Sequence, residues 1–168
     1  NNTQDAAYLK LNPNGKVPTL VDGDTVIWES NTILRYLAAK NKKETLYPIE
    51  LAARTEVERW MDWLLASVNY QYVQVFKDSK KAANERAATF EADAKELAAQ
   101  LSILDGAMAG KAWVAGKDFT IADVALASTP SIEHVVVVDR VGSHAAASDA
   151  EVHMTEGRDL WFHDLLDA

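Results

Sequence analysis

The stretch from Asn12 to Tyr36, NPNGKVPTLVDGDTVIWESNTILRY, decides the fold of this chain. It divides into a loop, a Val-Pro pair, two short strands around Asp22-Gly23, and a Glu-Ser pair that opens a helix. Asn12-Pro13-Asn14-Gly15 is dense in turn formers, so the chain reaches Val17 through an irregular loop. Residues 19–21 and 25–28 are β-branched runs. Asp22-Gly23 between them suits the positive φ values of a type I′ hairpin turn. Ser30 is placed to cap a helix whose apolar residues, Ile33, Leu34 and Leu37, recur at spacings of three and four.

Chemistry gathers at the two chain ends of that hairpin. Pro18 has no N–H and restricts Val17 to an extended backbone, which turns the Val17 N–H and C=O outward. An extended peptide could pair with those two groups as an added strand. After the second strand, Glu29 offers a carboxylate for an ammonium group. Ser30 offers a hydroxyl beside helix N-terminal N–H groups, which favour a carboxylate. An ammonium site next to a carboxylate site, one strand from a peptide-pairing site, describes recognition of a small peptide with a free amino-acid end.

NPNGKVPTL, then DG, then WESNTILRYLA, resembles the glutathione S-transferase family, of a bacterial or theta-like type. The resemblance implies an α+β chain: a partial thioredoxin-like N-terminal domain (hairpin plus helix, residues 1–41), then an all-α C-terminal domain (42–128) and a divergent segment (129–168). It implies a cis Val17–Pro18 bond, with the Val17 backbone pairing with the cysteinyl part of glutathione. Glu29 and Ser30 would hold the γ-glutamyl end, and Lys16 is in reach of the glycyl carboxylate. The glutathione-binding residues expected are therefore Lys16, Val17, Pro18, Glu29 and Ser30. Glutathione is a co-substrate on this reading and no cofactor is implied. Its thiolate attacks a small hydrophobic electrophile, in a detoxifying enzyme that is a homodimer at full length.

Composition agrees with a globular protein outside the membrane. Net charge is −8, and residues 131–168 hold eight Asp or Glu against two Arg, so no basic stripe is available for nucleic acid. No 18-residue apolar run suggests a membrane span, and NNTQDAAYLK lacks the pattern of a leader. Zero cysteines exclude disulfides and thiolate chemistry within these residues and fit a cytoplasmic location.

Beyond Tyr36 the period is helical. Residues 51–77 read as one long helix with Val57, Trp60, Met61, Leu64, Val68, Tyr72 and Val75 as its core stripe. The resemblance also places Tyr70, Tyr72 and Phe76 near the electrophile cavity. A second helix is expected from Asn84 to Met108, with Phe90, Ala94, Leu97, Leu101, Leu104 and Met108 on one face. Thr120, three residues before Asp123, makes a capping box with Asp in place of Glu or Gln, and Phe119 can staple to Val124. This pair resembles the family's box at the start of a buried helix and is structural, not catalytic.

Two departures from the family stand out. Only eleven residues precede Asn12, too few for the strand, helix and strand that carry the family's catalytic Ser, Tyr or Cys. The expectation is an N-terminally incomplete chain, inactive alone, with no catalytic residue assigned; Tyr8 lies too close to Val-Pro to be the family's tyrosine. The second departure begins near Thr129. His134, His144, His153 and His163 are spaced ten, nine and ten apart, which suits no metal site. Residues 159–166 could form a short amphipathic helix. Two other functions stay open: a non-catalytic protein-association domain of this family, and a glutathione-dependent disulfide reductase.

Overall fold

The structure, a computed structural model, describes residues 3–127 and two two-residue strands further on. Helix α1 (Ala6–Leu11) leads into the Asn-Pro loop. Strands β1 (Thr19–Asp22) and β2 (Thr25–Trp28) form an antiparallel hairpin with Thr19 opposite Trp28 and Asp22 opposite Thr25. The turn is therefore centred on Gly23-Asp24, not on Asp22-Gly23. Only Gly23 (φ 58°) has positive φ there, which is the type II′ pattern in place of the expected I′. Asp22 stays in the strand because its side chain is drawn toward helix α2 (Ser30–Lys40), as described below.

Among the described residues the chain divides into two compact units, 3–62 with 108–126, and 63–107 with 127, 136–137 and 160–161. In the first, helix α3 (Leu51–Trp63) supplies the buried Val57, Trp60 and Met61. Glu50 starts this helix: its carboxylate accepts the Ala52 and Ala53 N–H groups at 2.9 and 2.7 Å. Those bonds hold the Glu50 carboxyl below its ordinary range. Buried Asn31 of α2 donates to the Met61 carbonyl at 3.2 Å, and Arg35 pairs with Asp62 at 2.7 Å.

The same unit contains α6 (Ile121–Ala127), whose Ile121, Ala122 and Ala125 are buried. Thr120 Oγ1 accepts from Ala122 N–H at 3.3 Å and donates to Asp123 at 3.0 Å. The Asp123 carboxylate also accepts the Thr120 N–H (2.9 Å) and, with its other oxygen, the Val114 N–H (2.8 Å). Two of the three bonds this carboxylate accepts thus come from Thr120, and the third comes from Val114 nine residues upstream. The Phe119 ring lies edge-on to Trp113, with centroids 4.9 Å apart. Ile121 N–H donates to the Leu46 carbonyl at 3.0 Å.

In the second unit the helix expected to run unbroken from 51 to 77 is interrupted. A π-helical turn occupies Leu64–Val68, closed by Asn69 N–H on the Leu64 carbonyl, before α4 (Asn69–Ser79). The reason lies in the spacing. Leu64, Val68 and Tyr72 are four apart twice over, and at 3.6 residues per turn two such steps drift about 80° off the stripe. A wider turn takes up that drift, and all three residues are buried. The next helix, α5 (Phe90–Met108), starts six residues later than expected. Asp78 accepts the Ala87 N–H at 2.8 Å, which withdraws that donor from a helical bond; Asn84 instead sits in a short 3-10 turn, Ala83–Glu85.

Strands β3 (Val136–Val137) and β4 (Leu160–Trp161) pair in parallel. The helix expected over 159–166 is therefore not formed at Leu160-Trp161, where the backbone bonds go to another strand. The four histidines lie outside the described residues. No helix of the described residues is long and apolar enough to cross a membrane. The organisation is mixed α+β and mostly helical, as expected from the sequence.

Candidate functional site

The register of the hairpin, with Thr19 opposite Trp28, brings Val17-Pro18 just before β1 and Glu29-Ser30 just after β2 to the same open end. The Val17–Pro18 peptide is cis. Val17 is 71% exposed, and neither its N–H nor its C=O has a partner among the described residues. One edge of β1 pairs with β2, and no strand pairs with its other edge among the described residues.

The loop before Val17 is built with care. Gly15 N–H donates to the Asn12 carbonyl at 3.0 Å, closing a turn, and Gly15 has φ +59°. A Cβ there would lie 2.6 Å from Gln4 Nε2 and 3.2 Å from both Leu9 Cδ2 and the Thr3 carbonyl oxygen, so the position requires glycine. Asn12 is 3% exposed; its Oδ1 accepts the Asn14 N–H at 3.0 Å. Its Nδ2 donates to the Lys16 carbonyl at 2.7 Å and to Thr19 Oγ1 at 3.2 Å. Tyr8 Oη donates to the same carbonyl at 2.6 Å and lies 2.8 Å from Thr19 Oγ1. The Lys16 side chain is exposed and has no ion pair among the described residues.

Across the hairpin, Glu29 rather than Ser30 is the N-cap of α2, and its side chain makes no capping bond. Ser30 is the first helical residue. The difference follows from the Glu29 backbone, φ 72° and ψ 117°, which makes the sharp change of direction from strand to helix one residue early. Such a conformation costs a non-glycine residue about 1–3 kcal/mol and collects at ligand sites. Its carbonyl accepts the Ile33 N–H at 3.0 Å, the first bond of the helix. The N–H groups of Ser30, Asn31 and Thr32 have no partner among the described residues, nor has the Ser30 hydroxyl. These donors favour an anionic group, and the exposed Glu29 carboxylate beside them favours a cationic one.

The hairpin is locked to α2 at its other end. Asp22 Oδ2 accepts from Tyr36 Oη at 2.8 Å and pairs with Lys40. Lys40 and then Tyr36 hold the Asp22 carboxyl below its ordinary value, and Asp22 in turn raises the values of Tyr36 and Lys40. In the second unit Tyr72 is buried, its hydroxyl is unpartnered, and burial pushes it up to about 12. Tyr72 stacks with Phe76 at 6.1 Å, whereas Tyr70 is 65% exposed.

Sequence reasoning missed four participants here: Tyr8, Asn12, Asn31 and the strained Glu29 backbone. Only Asn12 carried a usable signal, as the first residue of an Asn-Pro-x-Gly turn whose side chain commonly bonds two residues on.

The chain is similar to proteins of known family. The family model described as "Glutathione S-transferase, N-terminal domain" matches residues 1–39, and that described as "Glutathione S-transferase, C-terminal domain" matches residues 31–135. Glutathione S-transferase GstB of Escherichia coli (strain K12) is 36% identical over 127 residues, covering 73% of this chain and 61% of its own length. The theta class glutathione S-transferase of Xanthomonas axonopodis pv. citri, solved with glutathione bound, is 37% identical with a TM-score of 0.67; the match covers 74% of this chain and 61% of that one. A glutathione transferase family member from Pseudomonas fluorescens Pf-5, solved with two glutathione bound, is 30% identical with a TM-score of 0.66, covering 73% and 57%. The chain spans about three-fifths of the length of the curated relative from E. coli. With both family models matched in order along one hairpin-and-helix chain, this protein belongs to the glutathione S-transferase family.

Proposed function

We propose that the open end of the hairpin binds glutathione, and that the protein is a glutathione transferase. The free N–H and C=O of Val17 are the observation that carries this reading. A peptide laid along Val17 satisfies both, and the same ligand's amino-acid end then meets Glu29 and the α2 N-terminus. Glu29 takes the ammonium; Ser30 and the neighbouring N–H groups take the α-carboxylate; Lys16, on its exposed loop, takes the glycyl carboxylate. Glutathione has these three features in this order. In the reaction the glutathione thiolate forms a bond to an electrophilic carbon of a small hydrophobic substrate, and the leaving group departs with the bonding pair. A homodimeric, cytoplasmic, detoxifying enzyme is the corresponding setting.

Support comes from the relatives solved with glutathione bound and from the match to both family models. The test is a titration of the ¹⁵N-labelled chain with glutathione. The amides of Val17, Glu29 and Ser30 should shift together and saturate at one concentration. Shifts absent at these three positions would overturn the assignment.

A further inference from the structure

The Lys16 carbonyl accepts two donors at short distance, Tyr8 Oη at 2.6 Å and Asn12 Nδ2 at 2.7 Å. A carbonyl oxygen has two lone pairs, so this one is saturated. The proton directions follow. Tyr8 has one proton, and a carbonyl can only accept, so that proton goes to Lys16. The 2.8 Å contact between the two hydroxyls is then a bond from Thr19 to Tyr8, and the Thr19 oxygen accepts from Asn12 at 3.2 Å. The Asn12 amide cannot be reversed, because its Oδ1 faces the Asn14 N–H at 3.0 Å and its Nδ2 faces two acceptors. Every donor and acceptor in the ring has a complement.

We propose that Tyr8 and Asn12 are positioning residues for peptide binding, acting through the Lys16–Val17 peptide bond; this rests on the glutathione reading above. The peptide group is planar, so fixing the Lys16 oxygen also fixes the direction of the Val17 N–H on the far side of the same C–N bond. The clamp therefore withholds the Lys16 carbonyl from a ligand and presents Val17 as the pairing residue. It anchors that peptide from both sides in sequence: Tyr8 and Asn12 precede it, and Thr19 follows. The ring also gives Tyr8 a definite occupation. With its only proton on Lys16 and its oxygen accepting from Thr19, Tyr8 has no donor left for a thiolate and is not a thiol-activating group.

Tyr8→Phe removes one hydroxyl and keeps the ring, so the fold tolerates it; Thr19→Ser keeps the hydroxyl and is the conservative control. Two probes separate positioning from general damage. Glutathione engages the whole site, whereas glutamine, a γ-glutamyl amide, reaches only Glu29 and Ser30. In Tyr8→Phe the Val17 amide resonance should move, glutathione should bind about two- to tenfold more weakly, the range of one neutral hydrogen bond, and glutamine should bind as before. Thr19→Ser should resemble the parent in all three. Equal weakening of glutathione and glutamine, or an unmoved Val17 amide, would overturn the clamp. A parent chain that responds to glutathione while Tyr8→Phe is indistinguishable from it overturns this inference alone. A parent that does not respond at Val17, Glu29 or Ser30 overturns the glutathione reading, and the positioning role with it.

Discussion

Asp22 and Tyr36 are fourteen residues apart and joined by a hydrogen bond of 2.8 Å, which ties the turn end of the hairpin to α2. Lys40 closes on the same carboxylate oxygen one helical turn further along. The three groups shift one another in opposite directions. The Asp22 value is depressed below 3.8, so its contribution to stability is present above that pH and is lost as pH falls through the lower folded value. Lys40 and Tyr36 are raised above 10.5 and 10.0, so their contributions are present below those values and are lost as pH climbs through the folded ones. The groups are largely solvated, and the effect is correspondingly small. Thermal midpoints measured across pH should show Asp22→Asn with flatter acid and alkaline limbs than the parent. Parallel curves would remove the lock.

The α6 cap separates two roles. Thr120→Ala loses the bond to Ala122 N–H and should cost about 1 kcal/mol, the usual worth of an N-cap. Asp123→Ala leaves both the Thr120 and Val114 N–H groups without a partner, and should cost about 1–3 kcal/mol for each that stays dry. Urea midpoints should therefore rank parent, Thr120→Ala, Asp123→Ala. Glutathione affinity should be unchanged in both.

At Glu29 stability and binding should move in opposite directions. Glu29→Gly relieves a backbone at φ 72°, whereas Glu29→Ala keeps the strain, so the glycine variant should be more stable than the alanine one by about 1 kcal/mol. Both lack the carboxylate, and both should bind glutathione more weakly than the parent. Calorimetric Tm and a glutathione titration on the same samples decide the matter; an alanine variant at least as stable as glycine would mean the conformation carries no strain.

Gly15→Ala should destabilise by about 1–2 kcal/mol, the cost of holding a side chain in the left-handed region. Gln4 Nε2 could move only by giving up its 3.1 Å bond to the Gly15 carbonyl, and the Thr3 carbonyl at 3.2 Å is backbone and cannot move. Denaturant unfolding of this variant should give a lower midpoint with the same slope. A midpoint equal to the parent's would show that the loop relaxes freely.

What could be read in advance divides by range. The hairpin, the start of α2 near residue 30 and the Thr120/Asp123 pair depend on neighbours within a few positions, and residue type and spacing report those. Asn31 did not announce itself: a polar residue between Ser30 and Thr32 looks like exposed surface, and its burial depends on the Met61 carbonyl thirty residues away. Tyr8 was equally silent, since its partner is a backbone oxygen, to which every residue type contributes alike. The backbone of Glu29 ran against expectation, because positive φ is expected of glycine or asparagine and not of a glutamate. The late start of α5 was hidden for the opposite reason. Its sequence is helix-forming throughout, and one carboxylate upstream takes the donor that would have continued the helix.

The π-helical turn at Leu64–Val68 has a consequence for how this chain can vary in length. Such a turn is what an α-helix becomes when it accommodates one additional residue without rotating its buried side. The segment therefore holds one residue of slack. Removing a single residue from it would leave an ordinary α-helical turn, whereas the same deletion within α3 or α4 would rotate everything beyond it by about 100°. Among the described helices, this is where a natural or engineered single-residue deletion meets the least resistance.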